Sequence, residues 1–279
     1  MKAPVLYIVL LAMLTLTSCV KMAQDVEAPK IESQLVVFSF LSPEEKILKV
    51  EVSRSKPVYA NQGGTGYINT ATVTVTNDGG QSILLPYDDA YNGYVVNQTL
   101  YPIEAGRTYT VKVVSGAATV TGSCIVPKDT VSLTEWSSKA VSDPTSNSPG
   151  PYFIYNYKWI DQAGVRNYYR LDVERLQKFT MGDTMVYTES LGSSMWDDAN
   201  RDGGMLSGST EDYTNSGGSD EYKIFLLNTD IHYFEYHRRR LNYFGDDPFS
   251  EPFQQYNNVQ GGLGVVGAYR KTSRTVRVQ

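Results

Sequence analysis

From Ile31 onward, apolar and polar positions alternate with a period of two. Leu48, Val50 and Val52 interleave with Lys49, Glu51 and Ser53; Val73 and Val75 sit among Thr72, Thr74 and Thr76; Tyr109, Val111 and Val113 alternate with Thr110, Lys112 and Val114. A repeat of two places one set of side chains on each face of a strand. Turn formers separate the runs: Asn77-Asp78-Gly79-Gly80, Asn92-Gly93 and Ser115-Gly116. The pattern predicts about seven short strands near 33–40, 46–53, 71–76, 81–85, 93–98, 107–114 and 117–126, the signature of a β-sandwich.

Beyond Pro127 the pattern stays mainly β. Phe153–Ile160 and Tyr168–Leu176, joined across Asp161-Gln162-Ala163-Gly164, predict a long hairpin with Tyr155, Tyr157 and Trp159 on one face. Ser207 to Asp220 predicts a Gly/Ser-rich loop, and Tyr222–Leu227 a further strand. One segment leaves the period of two. Asp230 to Phe244 carries Ile231, Phe234, Leu241 and Phe244 near one helical face, Arg238–Arg240 at the negative end and Gly245 as a stop. A helix over about 229–244 follows, with Asn228 or Thr229 as the cap. The expected fold is therefore mainly β, a sandwich over 31–127 followed by a second antiparallel β domain over 128–279 that carries this helix.

The N-terminus is of another kind. Lys2 precedes the apolar run Val5–Leu16, which is shorter than the roughly 20 residues a spanning helix needs, so it reads as an export signal. Leu16-Thr17-Ser18-Cys19 ends it in the pattern of a bacterial lipobox. A signal peptide over 1–18, lipid on the Cys19 sulfur and a polar tether over 19–30 are expected, with membrane contact through the lipid. More than one acyl chain makes such an anchor firm, since each buried CH₂ contributes about 0.8 kcal/mol.

Net charge is −5, and Arg238-Arg239-Arg240 is the one basic cluster, so nucleic acid is an unsuitable partner. With Cys19 acylated, Cys124 is the one remaining thiol; it lies in a strand without a neighbouring base and reads as a buried, inert residue. Tyr is abundant, at 21 residues, which suits both half-buried sheet faces and binding surfaces.

Few constellations suggest chemistry. Gly262-Leu263-Gly264-Val265-Val266-Gly267 spells a dinucleotide fingerprint, but too little chain follows for the helix, strand and acidic residue that such a fold requires. Its glycines are expected to mark close backbone approaches in a late strand. Asp198, Asn200 and Asp202, followed by Gly203, match the first half of a calcium loop. The closing position holds Ser209, and Glu211 or Asp212 is the nearest carboxylate a folded-back loop offers. A polar turn is the competing reading. His232 and His237, five apart, project about 140° from each other on a helix and cannot share a metal. No Ser-His-Asp or Cys-His arrangement is visible, and catalysis is not expected; a carboxylate pair of the glycosidase kind, with Trp136, Trp159 and Trp196 stacking on sugar, stays as an alternative.

Two resemblances bear on function. Ala71–Gly80, Gly93-Tyr94 and Gly106–Val113 resemble the transthyretin-like or carboxypeptidase-regulatory-like sandwich, an accessory module without catalytic residues. Asp247-Pro248-Phe249-Ser250-Glu251-Pro252, then Tyr256 to Tyr269, resembles the ending of an uncharacterised family of Bacteroidota outer-membrane lipoproteins, domain of unknown function 4249, often encoded beside TonB-dependent receptors. Members often carry Phe where this chain has Val266. The resemblance implies an outer-membrane accessory, surface-facing or periplasmic, that assists a TonB-dependent receptor by capturing a ligand or capping the barrel. A structural or adhesive surface protein is the other reading. The resemblance brings no binding or catalytic residues.

Overall fold

A computed structural model describes residues 33–55, 66–142, 151–181, 183–212, 221–241, 243 and 255–277, with backbone alone at 142, 151, 177–181 and 183–187. Cys19, the tether and Asp247–Pro252 lie outside the described residues. The described chain is mainly β, in three sheets, with one helix.

The strands of the first half are β1 (Leu35–Leu41), β2 (Ile47–Arg54), β3 (Thr72–Asn77), β4 (Ser82–Leu85), β5 (Tyr87–Asp88), β6 (Gly93–Asn97), β7 (Thr108–Ser115) and β8 (Ala118–Ile125). Alternation sets which side chains face in: β1, β2 and β3 each bury every second residue. Sheet β4-β3-β7-β8 packs over β1, β2 and β6 around Val37, Val50, Val75, Tyr109 and Val113, all 1% exposed or less. Tyr109 also fastens a corner. Its hydroxyl accepts the Glu104 N–H at 2.8 Å and donates to the Pro102 carbonyl at 3.4 Å. Tyrosine corners of this form recur in sandwiches.

The second half contributes β9 (Leu133–Ser142), β10 (Pro151–Ile160), β11 (Tyr168–Met181), β12 (Asp183–Asp197), β13 (Met205–Asp212), β14 (Glu221–Thr229), α1 (Ile231–Leu241) and β15 (Leu263–Arg277). Tyr155, Tyr157 and Trp159 do share one buried face. The expected hairpin of β10 with β11 does not form, however. β10 pairs with β9 and β13, and β11 with β12 and β14, in different sheets. The two strands meet across a core instead, where Trp159 meets Tyr169 edge-on at 5.9 Å. Burying side chains of this size contributes on the order of 2–3 kcal/mol each. Residues 207–212, expected in a loop, are the body of β13. Their small side chains fit beneath an aromatic: a Cβ at Gly208 would lie 3.1 Å from the Trp196 ring.

The last strand enters both halves. Residues 263–268 of β15 run parallel to β1, and 269–277 run antiparallel to β14, giving one eight-stranded sheet in the order β12-β11-β14-β15-β1-β2-β6-β5. The second half is thus not purely antiparallel in its pairing. Val259, Val266 and Ala268, beyond the division at 127, pack in the first apolar cluster, while Val276 packs in the second. The glycines around β15 are there for space. At Gly261 and Gly264, with φ of +81° and +129°, a Cβ would fall 2.1 Å from the Thr119 carbonyl oxygen and 1.9 Å from that of Val37.

Helix α1 covers the other face of the long sheet. Its cap is Asp230, whose Oδ1 accepts the Tyr233 N–H at 2.8 Å, rather than Asn228 or Thr229. It also ends at Leu241, short of 244. The buried face is Tyr233, Phe234 and Tyr236; of the expected set, Phe234 is buried, Ile231 and Leu241 are exposed, and Phe244 lies outside the described residues. Aromatic partners decide this: Phe40 meets Tyr233 at 5.1 Å, Phe38 meets Tyr236 at 5.4 Å, and Tyr168 meets Phe234 at 4.8 Å. Gly267 lets the helix settle, since a Cβ there would come within 2.8 Å of the Tyr233 nitrogen.

Candidate functional site

At the N-terminal end of α1 a cavity of about 590 Å³ opens, a size suited to a small ligand. Three segments bring its walls together: the end of β8 with the chain after it, the β10–β11 loop, and the β14–α1 junction. Ile125, Val165 and Ile231, one from each segment, line it while remaining 58%, 57% and 37% exposed. Tyr168 adds an aromatic wall, with the Arg166 guanidinium 5.8 Å from its ring centre.

The polar groups of the lining differ in how fully they are used. Asp129 Oδ2 accepts from the Gln162 side chain at 2.9 Å, and its carbonyl accepts from Asn228 at 3.0 Å. His232 Nδ1 lies 2.8 Å from the Tyr256 hydroxyl, and burial lowers its pKa. Asp230 turns its carboxyl inward: Oδ1 caps the helix, and Oδ2 is buried with no well-aligned hydrogen bond. Burial pushes its pKa up to about 7, against the pull of nearby backbone N–H groups.

His237, about two turns on, is shifted the other way. Burial, then the charges of Arg170 and Arg240, hold its pKa down at about 3. Its Nδ1 lies 3.0 Å from Arg170 Nη1, which can only donate, so Nε2 carries the ring proton. The two groups impose opposite pH dependences. Between about pH 4 and 7, folded Asp230 retains a proton that the unfolded chain releases, so its contribution to stability falls as pH rises. Between about pH 3 and 6.5, unfolded His237 binds a proton that the folded chain excludes, so its contribution rises with pH. Relative to wild type, Asp230→Asn is expected to gain stability from pH 5 to pH 7, and His237→Gln to lose it, in urea titrations at both pH values. Parallel behaviour of all three proteins would contradict these assignments.

Next to the cavity, the residues expected to hold calcium are partly assembled. Asp198 and Asp202 come together with Asp161, their carboxylate oxygens within 4.8 Å of one another, whereas Asn200 is exposed on the turn. Asp161 was not foreseen; it stands at the far end of β10, with only the Asp-Gln-Ala-Gly turn as a signal. Four of the six carboxylate oxygens already accept hydrogen bonds. Asp161 accepts the Tyr169 hydroxyl at 2.5 Å and the Gly203 N–H at 2.7 Å. Asp202 Oδ1 accepts the Gly164 N–H at 2.7 Å, and Asp198 Oδ2 the Asn167 N–H at 2.8 Å. Asp198 Oδ1 lies 3.1 Å from Arg166 Nε, an ion pair without hydrogen-bond alignment. Calcium takes 6 to 8 oxygens, and this trio fits a clasp between two loops better than a calcium site. Millimolar calcium is therefore expected to leave the melting temperature unchanged. Asp161→Ala, which strands the buried Tyr169 hydroxyl, should cost about 2–3 kcal/mol in urea unfolding.

The fold and the cavity define a mostly β protein with a recess at the head of its one described helix. The family described as Domain of unknown function (DUF4249) matches residues 23–275, and the chain belongs to it. No curated protein matches. Among solved structures, trypsin-activated alpha-2-macroglobulin from Escherichia coli is similar at 11% identity, over 73% of this chain and 15% of that one, with a TM-score of 0.21. So low a score carries no argument about fold or function.

Proposed function

We propose that this protein is a lipid-anchored accessory of the bacterial outer membrane that assists a TonB-dependent transporter by holding a small ligand in the cavity at the head of α1. The observation that carries the capture reading is the cavity itself: about 590 Å³, with exposed aliphatic side chains from three separate segments turned toward it. Apolar surface left open in this way is costly in water and marks binding sites. The anchor rests on the apolar run Val5–Leu16 and on Leu16-Thr17-Ser18-Cys19. Binding rather than catalysis is favoured because Asp230, the carboxyl with the raised pKa in the lining, is committed to the helix cap.

Cys19→Ala is expected to move the protein from the membrane fraction to the soluble fraction. Retention of the variant in the membrane would refute the anchor. Affinity purification of the lipidated protein in mild detergent should bring down a TonB-dependent receptor, and its consistent absence would remove the partner from the account.

A further inference from the structure

The polar groups of the cavity are unequal in a way that selects a ligand. Its carboxylates are each engaged through one oxygen: Asp129 Oδ2 by Gln162, and Asp230 Oδ1 by the first turn of the helix, with Oδ2 buried. Its cations keep donors to spare. Lys128 is exposed and forms no ion pair or side-chain hydrogen bond among the described residues. Arg166 spends Nε on Asp198 and Nη2 on Asp197, which leaves Nη1 without a protein partner among the described residues. These two cations come from different segments of the lining, the chain after β8 and the β10–β11 loop. The same cavity is lined by the aliphatic side chains of Ile125, Val165 and Ile231. The N-terminal end of α1, capped by Asp230, lies on the same side, since Ile231 and His232, its first two residues, also line the cavity.

We infer that the cavity takes a small amphipathic anion, its acidic head between Lys128 and Arg166 and its aliphatic body on Ile125, Val165 and Ile231. This rests on the ligand-capture reading and narrows it to a chemical class. The shape agrees, because apolar walls with a few placed polar groups are what small-molecule sites use for affinity and orientation, respectively.

Three probes of equal chain length separate the possibilities: octanoate, octan-1-ol and octylammonium, titrated calorimetrically into the full chain. Octanoate is expected to bind saturably at one site, at least five-fold tighter than octanol, with octylammonium weaker than both. Lys128→Gln should weaken octanoate about three- to five-fold, the range of one partly exposed charge contact, and leave octanol unchanged. Arg166→Lys, which keeps the charge facing the buried Asp198, guards against a variant that merely unfolds; it should weaken octanoate by a smaller factor. Equal binding of octanol and octanoate, tighter binding of octylammonium, or a Lys128→Gln variant that binds octanoate like wild type would each overturn the inference while leaving a ligand cavity in place. Binding of none of the three probes would overturn both.

Discussion

Gly264→Ala is expected to destabilise the chain by about 4 kcal/mol or more, enough to unfold a domain of ordinary stability. Two costs coincide there. The backbone is at φ +129°, a region closed to side chains, and a Cβ would lie 1.9 Å from the Val37 carbonyl oxygen on the neighbouring strand. Neither atom can yield, because Val37 and Gly264 are paired in the parallel register of β1 with β15. Gly116→Ala separates the two costs. Gly116 has φ +59° with open space around it, so only strain is added and about 1 kcal/mol is expected. Urea unfolding followed by tryptophan fluorescence reads both. A Gly264→Ala protein within 1 kcal/mol of wild type would show that β15 does not lie against β1 as described.

Asp212→Ala is expected to cost about 3–5 kcal/mol, the penalty for stranding a buried charge. Arg175 and Asp212 have side chains 3% and 0% exposed, with Arg175 Nη1 3.4 Å from Asp212 Oδ2. Tyr222 donates to the same oxygen at 3.0 Å, and Glu189 pairs with the other arm of the guanidinium. Removing the carboxylate leaves the buried cation with Glu189 on one arm alone and opens a void beside the Tyr222 hydroxyl. Replacing the pair together, Arg175→Met with Asp212→Leu, should restore much of the loss, since apolar groups of similar volume need no partner. Equal stability of wild type and Asp212→Ala would mean that water reaches this cluster.

Much of the strand pattern was legible because one face of each early strand is buried and the other is not. β1, β2, β3, β7 and β8 fall within two residues of the positions their alternation predicts. Alternation says which face is buried but not which strand lies alongside. That is why the shared face of Tyr155, Tyr157 and Trp159 can be read from the sequence while the pairing of β10 with β9 and β13 cannot. Aromatic-rich strands that follow each other after a short turn look like a hairpin, and here they face each other across a core instead.

The helix buries a different face from the one its aliphatic residues predict. Tyrosine counts as amphipathic, so Ile231 and Leu241 outranked Tyr233 and Tyr236 as buried positions. The sheet beneath offers Phe38, Phe40 and Tyr168, for which rings make better partners. The abundance of tyrosine, open in the sequence, resolves in part to the interior: Tyr94, Tyr109, Tyr155, Tyr157, Tyr169 and Tyr222 are among the largest fully buried side chains.

The candidate site was the least legible part. Asp198 and Asp202 stood out because they are close in sequence, but the carboxylate that joins them, Asp161, comes from another strand end. The cavity has no local signature at all. Ile125, Val165 and Ile231 are single aliphatic residues at element ends, and only the meeting of three distant segments turns them into a wall.

Native mass spectrometry of the lipidated protein, extracted from its own membrane in mild detergent, tests ligand capture most directly when wild type is compared with Ile125→Trp, which fills the cavity. The account predicts a small-molecule adduct on wild type that Ile125→Trp lacks. The same adduct on both proteins, or none on either, would contradict it.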